Sequence, residues 1–177
     1  MKKTINTPLT EELVKELNAG DEVLINGTIF TARDAAHKRL AELIDSNKKL
    51  PVDLTNQILY YTGPTPAQPG KIIGSAGPTT SSRMDRYTPK LIRTTKLRGI
   101  IGKGNRSSEV IDSFVNYGCV YFAAIGGAGA LLSKCITASE IVCYEDLGAE
   151  AIYKLTVNNF PVIVAIDCKG RNLYAER

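Results

Sequence analysis

Histidine occurs once in the 177 residues, at His37, and the four cysteines (Cys119, Cys135, Cys143 and Cys168) form no CxxC pair. Metal sites held by one chain draw on closely spaced cysteine and histidine ligands, so this chain is not expected to hold a metal. A leader is missing too: the first dozen residues, MKKTINTPLTEE, carry two lysines with no apolar stretch behind them. A secretory signal needs about 7–15 apolar residues there, so the expected location is cytoplasmic, with thiols kept reduced. The cysteines then read as small buried hydrophobes rather than a disulfide frame. Charge is absent between Asp112 and Lys134, and about 18 uncharged apolar residues suffice to raise a transmembrane candidate. Here Ser113, Asn116, Tyr117, Gly118, Gly126, Gly127 and Gly129 interrupt the run. It reads as a strand, a glycine turn and a helix start, with no membrane span.

What is present describes a globular domain. Hydrophobic residues at 44% beside charged residues at 23% exclude wholesale disorder. The length suits one domain over residues 1–177, able to bury roughly 70% of the unfolded surface. The net charge of +4 is mild, but its distribution is not. Residues 83–106 hold Arg83, Arg86, Lys90, Arg93, Lys96, Arg98, Lys103 and Arg106 against Asp85 alone. Such a run is either a solvated helix face or an anion site for phosphate, nucleic acid or carboxylate.

Hydrophobic periodicity and turn residues divide the chain. Thr10 caps a short helical turn ending near Ala19-Gly20, and 22–31 is a bent strand or hairpin around Gly27. Residues 33–46, RDAAHKRLAELIDS, form the clearest helix, with Ala36, Leu40, Leu43 and Ile44 on one face. Strands are expected at 57–62, 71–74, 98–102 and 120–125, and helices from 81 to about Thr94, at 107–117 (Ile111, Phe114 and Val115 inward) and after GGAG to Cys135. The tail, 151–157, 161–167 and 172–174, suggests a terminal antiparallel set with Lys169-Gly170 as a turn. Strands alternating with helices, plus antiparallel portions, predict an α/β fold with mixed sheets.

Two glycine motifs fail. After Gly127-Ala128-Gly129 the third glycine position is Leu132, and no acidic residue ends a strand about 20 residues on, so the dinucleotide fingerprint is incomplete. The GIIGKG stretch at 99–104 lacks both the spacing and the Ser/Thr of a P-loop. What remains are cations and hydroxyls at strand ends and helix starts: Arg33, the run Thr79-Thr80-Ser81-Ser82, Arg83 and Lys103. Ligands of open α/β sheets gather at such ends, guanidinium forks grip carboxylates, and lysine adds a point charge. Two arginines and a lysine could hold a dicarboxylate; equally, each could cap a helix or pair with a surface acid.

The motifs GTIFTARDAAHKRL (27–40), GPTTSSRMDRYTPKL (77–91), GIIGKGN (99–105) and GGAGALL (126–132) recur in order along nearly the whole chain. In these the sequence resembles the small (β) subunit of class I iron–sulfur fumarate hydratases and L-tartrate dehydratases. The resemblance implies a swivelling β/β/α domain and reversible hydration of a dicarboxylate, fumarate to S-malate. It implies that Arg33, Arg83 and Lys103 are substrate-binding cations, Thr80 a substrate contact, and Thr79 the hydroxyl proposed as base. It leaves Asp34 without a role, and His37 reads as structural. The family's [4Fe–4S] cluster, whose open iron polarises the substrate hydroxyl, is held by three cysteines of a separate α subunit, so an αβ heterodimer or (αβ)2 is implied.

L-Tartrate dehydratase shares these motifs and stands as the alternative activity. A basic nucleic-acid-binding module on 83–106 is a remote one: it calls for aromatics among the cations, and only Tyr87 is there. A non-catalytic assembly subunit would tolerate loss of Thr79 and Lys103.

Overall fold

The computed structural model describes residues 2–124 and 128–176. Seven strands form one sheet in the order β1-β2-β3-β4-β5-β7-β6: β1 (Lys2–Asn6), β2 (Glu22–Thr31), β3 (Ile58–Tyr60), β4 (Gly99–Gly102), β5 (Val120–Ala123), β6 (Ile136–Cys143) and β7 (Ile152–Ile166). An additional β2–β7 pairing closes β2, β3, β4, β5 and β7 into a five-stranded barrel, with β1 and β6 attached outside the ring. β2 through β5 run parallel, and β7 runs antiparallel to both of its ring neighbours. The fold is thus α/β with a mixed sheet, closed rather than split into separate sheets.

Strand alternation sorts the apolar residues into two cores, since successive side chains point to opposite faces. Val23, Ile25, Ile29, Ile58, Tyr60, Ile101, Val120, Phe122, Leu155 and Val164 pack together with Leu9, Val14 and Leu17 from around α1 (Glu11–Glu16). Leu59, Tyr61, Ile100 and Tyr121 face the other way, onto α2 (Asp34–Asp45), α3 (Thr88–Thr95) and α4 (Ser108–Tyr117). Covered on both faces, β3 and β4 are buried along their whole length, as parallel strands are.

Local signals account for the helix starts. The Thr10 hydroxyl accepts from Leu13 N–H, and Ser107 caps α4 by accepting from Val110 N–H. Pro89 enters α3 in its first turn, where no N–H is needed. The helix at 108–117 buries Val110 and Phe114, one turn apart, while Val115 is 47% exposed, so the inward face is rotated from the expected one.

Three further expectations change. Residues 71–74 are loop, because Gly74 and Ser75 N–H bond back to Thr65 and the segment has no strand partner. The separate strands expected at 151–157 and 161–167 are one, β7, bent where Asn159 takes φ 51°. Opposite the bend, β2 bulges around Gly27 (φ 109°), and Asn159 N–H donates to Asn26 Oδ1 at 2.8 Å, filling the gap in the ladder. Residues 172–174 contribute a single bridge, Ile166 to Asn172, before a 3-10 turn. Strands β1 and β6 were not legible in the chain. The GGAG stretch begins outside the described residues, and α5 (Gly129–Ser133) follows it. Among the described residues no helix is long and apolar enough to cross a membrane.

Candidate active site

The parallel arrangement puts the C-terminal ends of β2, β3, β4 and β5 on one rim of the barrel, where ligands of α/β sheets collect. Arg33 lies two residues beyond β2, at the N-cap of α2, and Lys103 directly follows β4. The loop after β3 leaves the rim and returns through 76–80. Its return limb is pinned by Tyr60 Oη to Ala76 O (2.5 Å), Thr62 Oγ1 to Gly77 O (2.7 Å) and Thr79 N–H to Tyr61 O (2.8 Å).

Thr80 then forms an isolated parallel bridge with Lys103, and Ser81 N–H donates to Lys103 O at 3.0 Å. Tyr121 Oη lies 2.9 Å from Ser81 Oγ and donates to Gly104 O at 2.8 Å, a second tie between the two segments. Gly102 has no room for a side chain, since a Cβ there would collide with Ser81 Oγ. Backbone bonds therefore bring Thr79, Thr80 and Lys103 to one place.

The guanidiniums arrive by another route. Arg83, in a 3-10 turn over Ser81–Met84, donates from Nε to Asp34 Oδ1 (3.1 Å) and from Nη2 to Oδ2 (3.4 Å). Arg33 Nε stands 4.0 Å from the same carboxylate and is buried with no hydrogen-bond partner among the described residues. Asp34 thus ties the two arginines together. Burial opposes its ionisation, but the Arg83 hydrogen bond and both guanidiniums outweigh it and hold the carboxyl below its ordinary range. Gly63 closes against Arg33, where a Cβ would stand 2.9 Å from its Cδ and Nη1.

All five residues expected from the sequence therefore lie on this rim: Arg33, Thr79 and Lys103 half-buried, Thr80 and Arg83 exposed. Neither the Thr79 hydroxyl nor the Lys103 ammonium has a partner among the described residues. They occupy an open shelf. A cleft of about 640 Å3 between the 65–75 loop and α5 includes none of them, and the paired polar groups of the rim are the better guide to chemistry than cleft size. Such a shelf can grip carboxylates and hold a hydroxyl beside a cation.

Asp34 is the contact that reading by residue type alone left without a role; its place directly after Arg33 was the available signal. His37 is buried, with Nδ1 2.7 Å from Arg33 O. A carbonyl can only accept, so Nδ1 carries the proton and Nε2 is bare, with no partner among the described residues. The other cations of the 83–106 run disperse: Lys90 pairs with Asp45, and Arg98 Nη1 donates to Tyr117 O and Gly118 O.

The residues present do not fit an iron–sulfur cluster. Among the described residues no three His, Cys, Asp or Glu side chains converge, and all four cysteines are free, with Cys119 wholly buried.

A closed α/β barrel with an open shelf of cations and hydroxyls defines the protein as a module that presents anion-gripping side chains. More particularly, the chain belongs to the Fumarase C-terminus family, whose profile matches residues 1–177. It is 42% identical, over 99% of its own length and 92% of the relative's, to the Methanocaldococcus jannaschii protein named "Putative L(+)-tartrate dehydratase subunit beta". It is 37% identical over 99% of its length to the anaerobic class I fumarate hydratase of Escherichia coli K12, and 36% identical over 89% to fumarate hydratase 2 of Leishmania major. Of those two proteins it spans only 33% and 28%. The relatives named as fumarate hydratases or tartrate dehydratase are hydro-lyases by name.

Proposed function

We propose that this chain is the β subunit of a hydro-lyase that reversibly hydrates fumarate to S-malate in the cytoplasm, in a site completed by an α subunit that carries the [4Fe–4S] cluster. The observation that carries this reading is the shelf itself: Arg33, Arg83 and Lys103 surround an unpartnered Thr79 hydroxyl, and this chain offers no cluster ligands beside them. Half of an active site is what such a rim supplies. The whole chain acts as the swivelling β/β/α-type domain that closes this half onto the α subunit, in an αβ or (αβ)2 assembly.

In this mechanism Arg33 and Arg83 hold the substrate carboxylates, and Thr80 adds a hydroxyl contact. Removing a proton beside a carboxylate builds negative charge on that group, and fixed cations there lower the barrier. Thr79 is the base in the dehydration direction. A neutral hydroxyl is a weak base at pH 7, so its alkoxide character depends on the adjacent Lys103 ammonium.

A second reading, L-tartrate dehydratase converting tartrate to oxaloacetate, is favoured by the 42% identity to a subunit-sized relative with that name. Anaerobic co-expression with the α partner, followed by assays on fumarate, S-malate and L-tartrate, tests both. Turnover is expected to require both chains and to fall about 10²–10³-fold in Lys103→Ala, the usual loss when one charge-stabilising donor is removed. Preference for tartrate would select the second reading. Turnover by this chain alone, or none from a cluster-replete complex, would defeat the proposal.

A further inference from the structure

Arg106 belongs to the basic run, yet its side chain is fully buried. Its Nε donates to Asp85 Oδ1 at 2.6 Å, and Nη2 reaches Thr88 Oγ1 at 2.9 Å and Tyr61 Oη at 3.3 Å. The guanidinium carbon lies 5.0 Å from the Tyr121 ring centre, 5.2 Å from Tyr61 and 5.9 Å from Phe114. Asp85 spends its other oxygen on Ser107 N–H at 2.8 Å.

Burying an arginine this deeply is costly, and a buried ion pair is seldom a gain over apolar packing. Nothing in the fold alone calls for a charge here: the surrounding layer is aromatic and aliphatic, and α4 is already capped by Ser107. The position of the pair is informative. Asp85 comes two residues after Arg83, and Arg106 three residues after Lys103. The pair joins the segment bearing Thr79, Thr80 and Arg83 to the segment bearing Lys103. It does so on the buried side of the layer, while the Thr80–Lys103 bridge joins them at the rim. A planar fork bonded at two edges and packed among three rings permits one orientation, which an ammonium or an apolar chain would not impose.

We propose that Arg106, acting through Asp85, is a positioning residue that sets the spacing between Lys103 and the Thr79–Arg83 segment. This rests on the hydratase reading for its catalytic consequence, and on the geometry alone for its structural one. The two are separable by experiment.

The αβ complex is compared as wild type, Arg106→Met, Arg106→Lys and the double variant Arg106→Met/Asp85→Asn. Asparagine keeps an acceptor for Ser107 N–H, and the double change leaves no orphan charge, so its melting temperature is expected to recover most of what Arg106→Met loses. Its kcat/KM on the preferred dicarboxylate is expected to stay about 100-fold down, the scale on which small misplacements act. Arg106→Lys is expected to fall between. Hydrogen exchange supplies a readout that needs no substrate: the Ser81 amide, bonded to Lys103 O, should exchange faster in the double variant while the amides of β3 and β4 do not change.

Recovery of turnover together with melting temperature would overturn the proposal, leaving Arg106 as a stabilising residue only. An unchanged Ser81 amide would overturn it as well. If the wild-type complex hydrates none of the substrates, the hydratase reading fails. The exchange result then still decides whether Arg106 holds the two segments in register.

Discussion

His37 sits under the helix that presents Arg33, edge-on to Tyr61 at 5.0 Å and stacked with Tyr87 at 6.0 Å. Burial pushes its pKa down to about 4; the nearby Arg106 charge adds to this, and the Arg33 carbonyl and the Asp34 charge oppose it. In the unfolded chain the imidazole protonates near its ordinary value of 6.5, whereas the folded protein keeps it neutral. The unfolded state therefore binds the extra proton between those values, and stability falls as pH falls from about 6.5 toward 4. Each pH step of one across that window removes about 1.4 kcal/mol, so the full loss reaches about 3 kcal/mol. His37→Phe keeps a ring in the space and removes the titration. Urea unfolding at pH 7, 6 and 5 should show a shallower decline for the variant than for the wild type. Equal slopes would mean that the imidazole does not titrate between folded and unfolded states.

Among the elements, β4 carries the tightest constraint. Gly102 ends it against Ser81 Oγ with Tyr121 Oη near by, so that Lys103 emerges beside Thr80. Gly102→Ala forces the Ser81 hydroxyl to move, and with it the bond from Ser81 N–H to Lys103 O. A loss of about 1–3 kcal/mol in stability is the usual cost of overpacking. If the hydratase reading holds, turnover should fall by a larger factor than stability explains. Chemical denaturation and steady-state kinetics on the same preparation check it; unchanged kinetics would mean that the rim tolerates displacement of the 81–84 turn.

At the scale of the molecule, the β2–β7 pairing joins residues more than a hundred positions apart and makes two cores share one sheet. Leu155 belongs to one core and Phe114 to the other, each wholly buried. Leu155→Ala should cost about 2–5 kcal/mol and Phe114→Ala about 3–5 kcal/mol. Because both faces of the same strands are involved, each variant should lower a single common transition, followed by circular dichroism and tyrosine fluorescence. Two separated transitions would show that the barrel and its helical layer unfold independently.

The residue types of the rim could be read in the chain because their signals are local. RDAAH opens a periodic helix, GPTTSSR is a loop running into a turn, and GIIGKG is a strand ending in a cation. The helix at 34–45, the cap at Ser107 and the bend at Gly27 were equally local, each a matter of one residue and its neighbours. Strands β1 and β6 were not, because KKTIN and ITASEIVC carry too little alternation to stand out and gain their structure from β2 and β7 alongside. The burial of Arg106 was also hidden, since in composition it is one more cation in a basic run. Tyr61, Phe114, Tyr121 and Asp85, from four separate stretches, make it an interior group. Propensity and capping act within a few residues, so the chain displays which chemistry it carries. Barrel closure acts across most of its length, and the convergence of Arg33, Arg83, Thr79 and Lys103 on one rim follows from that closure.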